Sequence, residues 1–210
     1  THADAVLSIT NSAGAESRMR EIYGDTVVII PYVMPGFALA RLCAKEYPRQ
    51  AGANTIGMVL MNHGVFAFAE TARQAYEHMI ELVNRAEDYL RRCKAWDIPA
   101  RRPGPARIGM LQQAQLRRNL SAAAGAPMIL ATHADEQALA FAQREDLGTL
   151  SQQGPVTPDH IIRTKRVPML GTDVDAYARG YKAYFDAHAP HAKEPKTMLD
   201  PAPRMVLDAD

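Results

Sequence analysis

Thr55-Ile56-Gly57-Met58-Val59-Leu60-Met61-Asn62-His63-Gly64-Val65-Phe66-Ala67-Phe68 decides how the chain is read. Two short apolar runs, 55–61 and 65–68, have the length and composition of buried strands. Asn62-His63-Gly64 separates them. Asn and Gly both tolerate left-handed backbone angles, so the three residues form a tight turn or a bulge. A turn fixed between two buried strands can present a side chain to a cleft, which makes His63 a candidate site residue. A turn residue that merely ends a strand is the plainer alternative.

Working outward, Thr71 and Gln74 have the spacing of a capping box. Ala75, Met79, Leu82, Val83, Ala86, Tyr89, Leu90 and Cys93 then recur at helical spacing. Upstream, Thr26 to Ile30 is a β-branched run stopped by Pro31, hence a buried strand. Pro35-Gly36 opens a helix from about Phe37 to Tyr47, which Pro48 should end. The segment from Ala3 to Ile9 reads as a buried helix start, and 14–24 as a loop with a short helical stretch. Downstream, helices are expected over 110–124, 135–144 and 172–188. A short strand is expected at 128–130, and a loop over 154–167 with a strand at Ile161-Ile162. Two prolines and a glycine within 98–104 mark a linker. The alternation of strands and helices predicts an α/β layered architecture.

The composition excludes several classes. Of 210 residues, 24 are Lys or Arg and 23 Asp or Glu, a formal charge of +1 that gives no reason to expect nucleic acid. An apolar fraction of 47% is that of a folded domain. No apolar run approaches the roughly 20 residues of a membrane span. Cys43 and Cys93 fall in helical stretches and, with no secretory signal, read as reduced core thiols of a cytoplasmic protein.

Seven histidines are candidates for metal or acid–base work. His78, His133, His188 and His191 are read as structural, from their places on or beside helices. His2 lies before an apolar run. His160, in Thr157-Pro158-Asp159-His160, stands in a polar loop beside Arg163 and Lys165. Those two cations lie two apart; on an extended backbone they share a face and could hold a phosphate together. No zinc-finger spacing, dinucleotide turn, phosphate loop or nucleophile elbow is present.

Thr1-His2-Ala3-Asp4-Ala5-Val6 resembles the second half of the His-x-His-Ala-Asp signature of the class II aldolase/adducin family, and Met61-Asn62-His63-Gly64-Val65 resembles its downstream histidine motif. Pro158 to Lys165 and the tyrosine-rich helix after Thr172 resemble the extended aldolase region of bacterial bifunctional rhamnulose-phosphate aldolase/short-chain dehydrogenase proteins. The resemblance implies an α/β/α three-layer domain over 1–97, N-terminally truncated. It implies a mostly helical extended region over 98–210 leading toward a missing dehydrogenase domain.

The implied cofactor is zinc held by three histidines, of which His2 and His63 match. The first histidine of the signature and the general base are expected before Thr1, so the chain alone is expected to be inactive. NAD is expected only for the missing dehydrogenase part. Zinc as Lewis acid suits cleavage of a ketose 1-phosphate to dihydroxyacetone phosphate and lactaldehyde, the work of a lyase in rhamnose catabolism. Asp4 either orients His2 or caps the following helix. His160, Arg163 and Lys165 are candidates for substrate or subunit contacts. A sugar-phosphate 4-epimerase and a non-catalytic adducin-like binding module are the alternatives. The expected partners are a sugar phosphate and further copies of the chain, with neither nucleic acid nor membrane.

Overall fold

A computed structural model describes residues 1–95 and 108–208. The expected linker at 98–104 lies outside the described residues. The chain divides into two compact units. One comprises Thr1–Asp97 with Val156–Asp159, the other Ile98–Pro155 with His160–Asp210.

The first unit runs α1 (Asp4–Thr10), α2 (Ala15–Tyr23), β1 (Val27–Ile30), α3 (Phe37–Gln50), β2 (Gly57–Leu60), β3 (Gly64–Ala67) and α4 (Ala72–Arg92). The sheet order is β1-β2-β3. β1 and β2 are parallel, with Val27 opposite Gly57, and β2 and β3 are antiparallel, with Leu60 opposite Gly64. Side chains alternate across a strand, so β1 feeds two cores. Val27 and Ile29 join Val6, Ile9, Met19, Tyr23, Leu82 and Ala86 under α1, α2 and α4. Val28 and Ile30 join Leu39 and Leu60 under α3. The result is an α/β/α layered domain, and the unbroken apolar run of β1 follows from burial on both faces.

Two contacts bind the layers. The Tyr23 hydroxyl, fully buried, donates to the carbonyl of Leu82 at 2.8 Å. Burial pushes this phenol far above its ordinary value against the pull of Arg85, so it stays a neutral donor. Gly57 has no side chain because the carbonyl of Phe66 and a methyl of Leu82 occupy the place of a Cβ.

Several details differ from the sequence reading. α3 continues past Pro48 to Gln50. The Gln50 amide donates to the Ile29 carbonyl and accepts from the Ile29 N–H, both at 3.2 Å, tying the helix end to the free edge of β1. The 14–24 stretch is mainly the helix α2. Thr71 caps α4 by accepting from the Gln74 N–H at 3.2 Å, while its own hydroxyl donates to the Gln74 side chain. Cys43 is half-buried and packs against the core under α3, whereas Cys93 is exposed at the end of α4 and is not a core thiol; neither forms a disulfide.

The second unit holds α5 (Met110–Ala124), α6 (Glu136–Ala142), α7 (Leu147–Leu150), β4 (Met169–Leu170), α9 (Val174–His188) and β5 (Val206–Leu207). α8 (Pro158–Arg163) begins in the first unit's segment and continues here. Leu116 and Leu120 of α5 pack on Met169 and Val174, and β4 pairs in parallel with β5. The Tyr177 hydroxyl donates to the Val167 carbonyl at 2.9 Å, and burial pushes its phenol up to about 12.

No strand forms at 128–130. The Met128 N–H donates instead to the Ser121 hydroxyl, and its carbonyl accepts from Arg117. The expected loop and strand around Ile161 are the helix α8, with Pro158 at its first position, where a missing N–H costs nothing, and Asp159 in its first turn. Among the described residues no helix is long and apolar enough to cross a membrane.

Candidate metal centre

His63 sits in a turn that is pinned on every side. Its N–H donates to the Leu60 carbonyl at 3.1 Å, and the Met61 N–H donates to Ile30 at 2.9 Å. Asn62 takes a left-handed φ of 58°, and its amide donates to the Thr10 carbonyl at 3.1 Å and to the Asn11 side chain at 2.8 Å. Asparagine suits both roles, since its short amide tolerates that backbone and reaches the end of α1.

His2 is brought to the same place by the backbone beside it. The Thr1 backbone nitrogen donates to the Val65 carbonyl at 2.8 Å, and the Val65 N–H donates back to the Thr1 carbonyl at 2.9 Å. This reciprocal pair lays the start of the chain along β3. The approach is close enough that the Thr1 carbonyl and the His2 ring crowd the place of a Cβ on Gly64. Only glycine leaves room there.

The two imidazole rings lie 5.2 Å apart between centroids, tilted by 43°. Nδ1 of His2 is 2.8 Å from Oδ2 of Asp159. Nδ1 of His63 is buried and has no hydrogen-bond partner among the described residues. A buried unpartnered ring nitrogen is costly unless something accepts it, and a cation is one such group. The His63 imidazole is held below its ordinary value by burial and by His2 beside it. It is therefore poised as a neutral ring, the form that ligates a metal.

His2 and His63 supply two nitrogen ligands of the kind a divalent ion takes. Two histidine nitrogens suit zinc, and a carboxylate on the far nitrogen of one ring is the usual way such a ligand is oriented. At 30% and 52% side-chain exposure, the His2–Asp159 pair is solvent-screened, so its role is orientation rather than stability. Among the described residues no group of three His, Cys, Asp or Glu is arranged to hold a metal.

The other sequence candidates fall elsewhere. Asp4 opens α1 and is exposed; its side chain makes no cap bond in α1, and the carboxylate partner of His2 is Asp159. His160 and Arg163 are exposed on α8 rather than in a loop, and both belong to the second unit. Lys165 is buried, and its ammonium donates to the Asp200 carbonyl. Arg163 and Lys165 therefore do not share the face of an extended strand, because α8 ends at the first and the second turns inward. Asp159 was missed by the sequence reading. Its signal was the Thr157-Pro158-Asp159 start of a short helix, which displays an acid rigidly.

Residues 1–90 match the class II aldolase and adducin N-terminal domain, and residues 110–210 match the second domain of class II aldolase. A Bacillus subtilis protein described as the uncharacterized oxidoreductase YuxG is 26% identical over 99% of this chain. The chain spans only 33% of that relative's length. A solved N-terminal class II aldolase domain of a conserved protein from Thermoplasma acidophilum is 40% identical, covering 42% of this chain and 39% of that one, with a TM-score of 0.36. With residues 1–90 and 110–210 matched by two successive domains of one family, the chain belongs to the class II aldolase/adducin family.

Proposed function

We propose that the chain is the aldolase part of a bifunctional aldolase/dehydrogenase, and that it serves zinc-dependent cleavage of a ketose 1-phosphate of the rhamnulose 1-phosphate type to dihydroxyacetone phosphate and lactaldehyde. The observation that carries the reading is the His2–His63 pair, with the Nδ1 of one ring bonded to Asp159 and the Nδ1 of the other buried without a partner. The dehydrogenase half is supported by the relative described as an oxidoreductase, two thirds of which lies outside the match.

His2 and His63 would hold the ion. When bound, zinc supplies Lewis acidity toward the substrate's carbonyl. The chain's own work is positional. Asp159 accepts from Nδ1 of His2 and so leaves Nε2 as that ring's remaining donor. Asn62 and the Thr1–Val65 pair fix both rings before any ligand arrives. Cytoplasmic location and assembly into a homo-oligomer belong to the same proposal.

Equilibrium dialysis against zinc tests it, together with a retro-aldol assay on rhamnulose 1-phosphate using the protein with its flanking sequence. His2→Ala and His63→Ala should each abolish zinc retention and turnover. Turnover that survives both substitutions overturns the reading. The second reading is an adducin-like binding module, which a non-ligand residue immediately before Thr1 would favour and a histidine there would oppose. Failure of the longer protein to retain zinc would select it.

A further inference from the structure

The second unit contains a cavity of about 170 Å³ whose lining is strongly cationic. Arg163, Lys165, Arg166 and Arg204 face it against the single carboxylate of Asp200. That excess of positive charge is concentrated in one place on a chain whose overall formal charge is only +1.

The cations divide into two sets. Lys165 and Arg204 are committed to the wall. The Lys165 ammonium donates to the Asp200 carbonyl and lies 4.4 Å from the centre of the Tyr181 ring. Arg204 donates to the Asp200 carboxylate at 2.6 Å. Arg163 and Arg166 have no carboxylate partner among the described residues. Arg166 rests its guanidinium 5.2 Å over the Tyr184 ring, which holds the fork in place without neutralising it.

The backbone carries an independent sign. Lys165 has a left-handed φ of 70°, just beyond the end of α8. Glycine is the usual residue there, and a lysine pays in backbone strain. Its side chain is nonetheless buried in the cavity wall, where burial lowers the ammonium's ordinary value against the opposing pull of Asp200. A strained, buried cation beside two uncommitted guanidinium forks is the arrangement of an anion cradle.

We infer that this cavity binds a small phosphate-bearing anion, seated between Arg163 and Arg166 with Lys165 and Arg204 behind it. A dianion answers the charge excess better than a carboxylate, and planar guanidinium forks match phosphate oxygens. The volume admits a phosphate with a few carbons, for which Ile161, Ile162 and Leu199 supply an apolar side. The site rests on residues of the second unit alone and does not depend on the histidine pair.

Isothermal titration of the chain with inorganic phosphate, against sodium chloride of matched ionic strength, tests it. Saturable one-site binding is expected. Arg163→Ala and Arg166→Ala should each weaken it by about ten-fold or more, the loss of a charge-assisted bond. Both arginines are exposed, so circular dichroism should show intact folding; Arg163→Lys, which keeps the charge but not the fork, should show an intermediate loss. His63→Ala should bind phosphate as the parent does. No saturable heat, affinity unmoved by either arginine variant, or affinity lost in His63→Ala would each overturn the site. Succinate binding as tightly as phosphate would overturn the assignment to phosphate.

Discussion

Gly64 and Thr1 face each other with no space for a side chain between them: the Thr1 carbonyl stands where a Cβ on Gly64 would be, and the His2 ring lies just beyond. The closeness of His2 to His63 therefore depends on a missing methyl group. Gly64→Ala is expected to push the start of the chain off β3 and to cost about 1–3 kcal/mol, the usual range for overpacking. Denaturant unfolding measures the loss, and zinc dialysis should show weaker retention. A variant with parent stability and parent zinc affinity would show that the contact is dispensable.

Asp159→Asn keeps the shape of the side chain but removes the negative charge beside His2. Zinc affinity should fall about 10–100-fold, as when the outer partner of a metal-bound histidine is lost. Melting temperature should barely change, because the pair is solvent-screened. Asp4→Asn should leave zinc affinity as it was.

Tyr23→Phe deletes the buried hydroxyl that reaches the Leu82 carbonyl. A loss of about 1 kcal/mol in unfolding free energy is expected for one net hydrogen bond. The Leu82 carbonyl keeps its place in α4, so the helical circular dichroism should be unaltered.

Asp200 sets an acid limb on stability. Burial pushes its carboxyl up, but the bond from Arg204, the charges of Lys165 and Arg204 and the Ala202 N–H outweigh burial and hold it below the ordinary 3.8. Its folded value thus lies below its unfolded one. The stability it contributes is fully present above the ordinary value and is lost as pH falls through the folded one. Unfolding measured from pH 5 downward should steepen there, and Asp200→Asn should flatten that limb while lowering stability at neutral pH.

The first unit was largely legible in the sequence because its signals are local. The β-branched run before Pro31, the Asn62-His63-Gly64 turn and the Thr71 cap each specify their element without help from distant residues. The errors lie where tertiary contacts override local preference. Pro48 marks a helix end, yet Gln50 holds an extra stretch of helix by bonding Ile29. The 154–167 stretch looks extended from its β-branched isoleucines, but Pro158 and Asp159 are good first-turn residues and a short helix forms. Asp159 escaped notice because its partner, His2, stands at the other end of the chain. No spacing rule connects an acid on a late helix to a histidine at the start.

The carboxylate that steadies His2 comes from the stretch matched to the second domain of the family, while both histidines come from the stretch matched to the first. The two segments are therefore not interchangeable cassettes. Replacing residues 110–210 with the equivalent stretch of another member would leave the histidines in place but hand control of one ring to the newcomer. A hybrid lacking an acid at position 159 should fold its sheet and still hold metal poorly, and restoring that one aspartate should recover it.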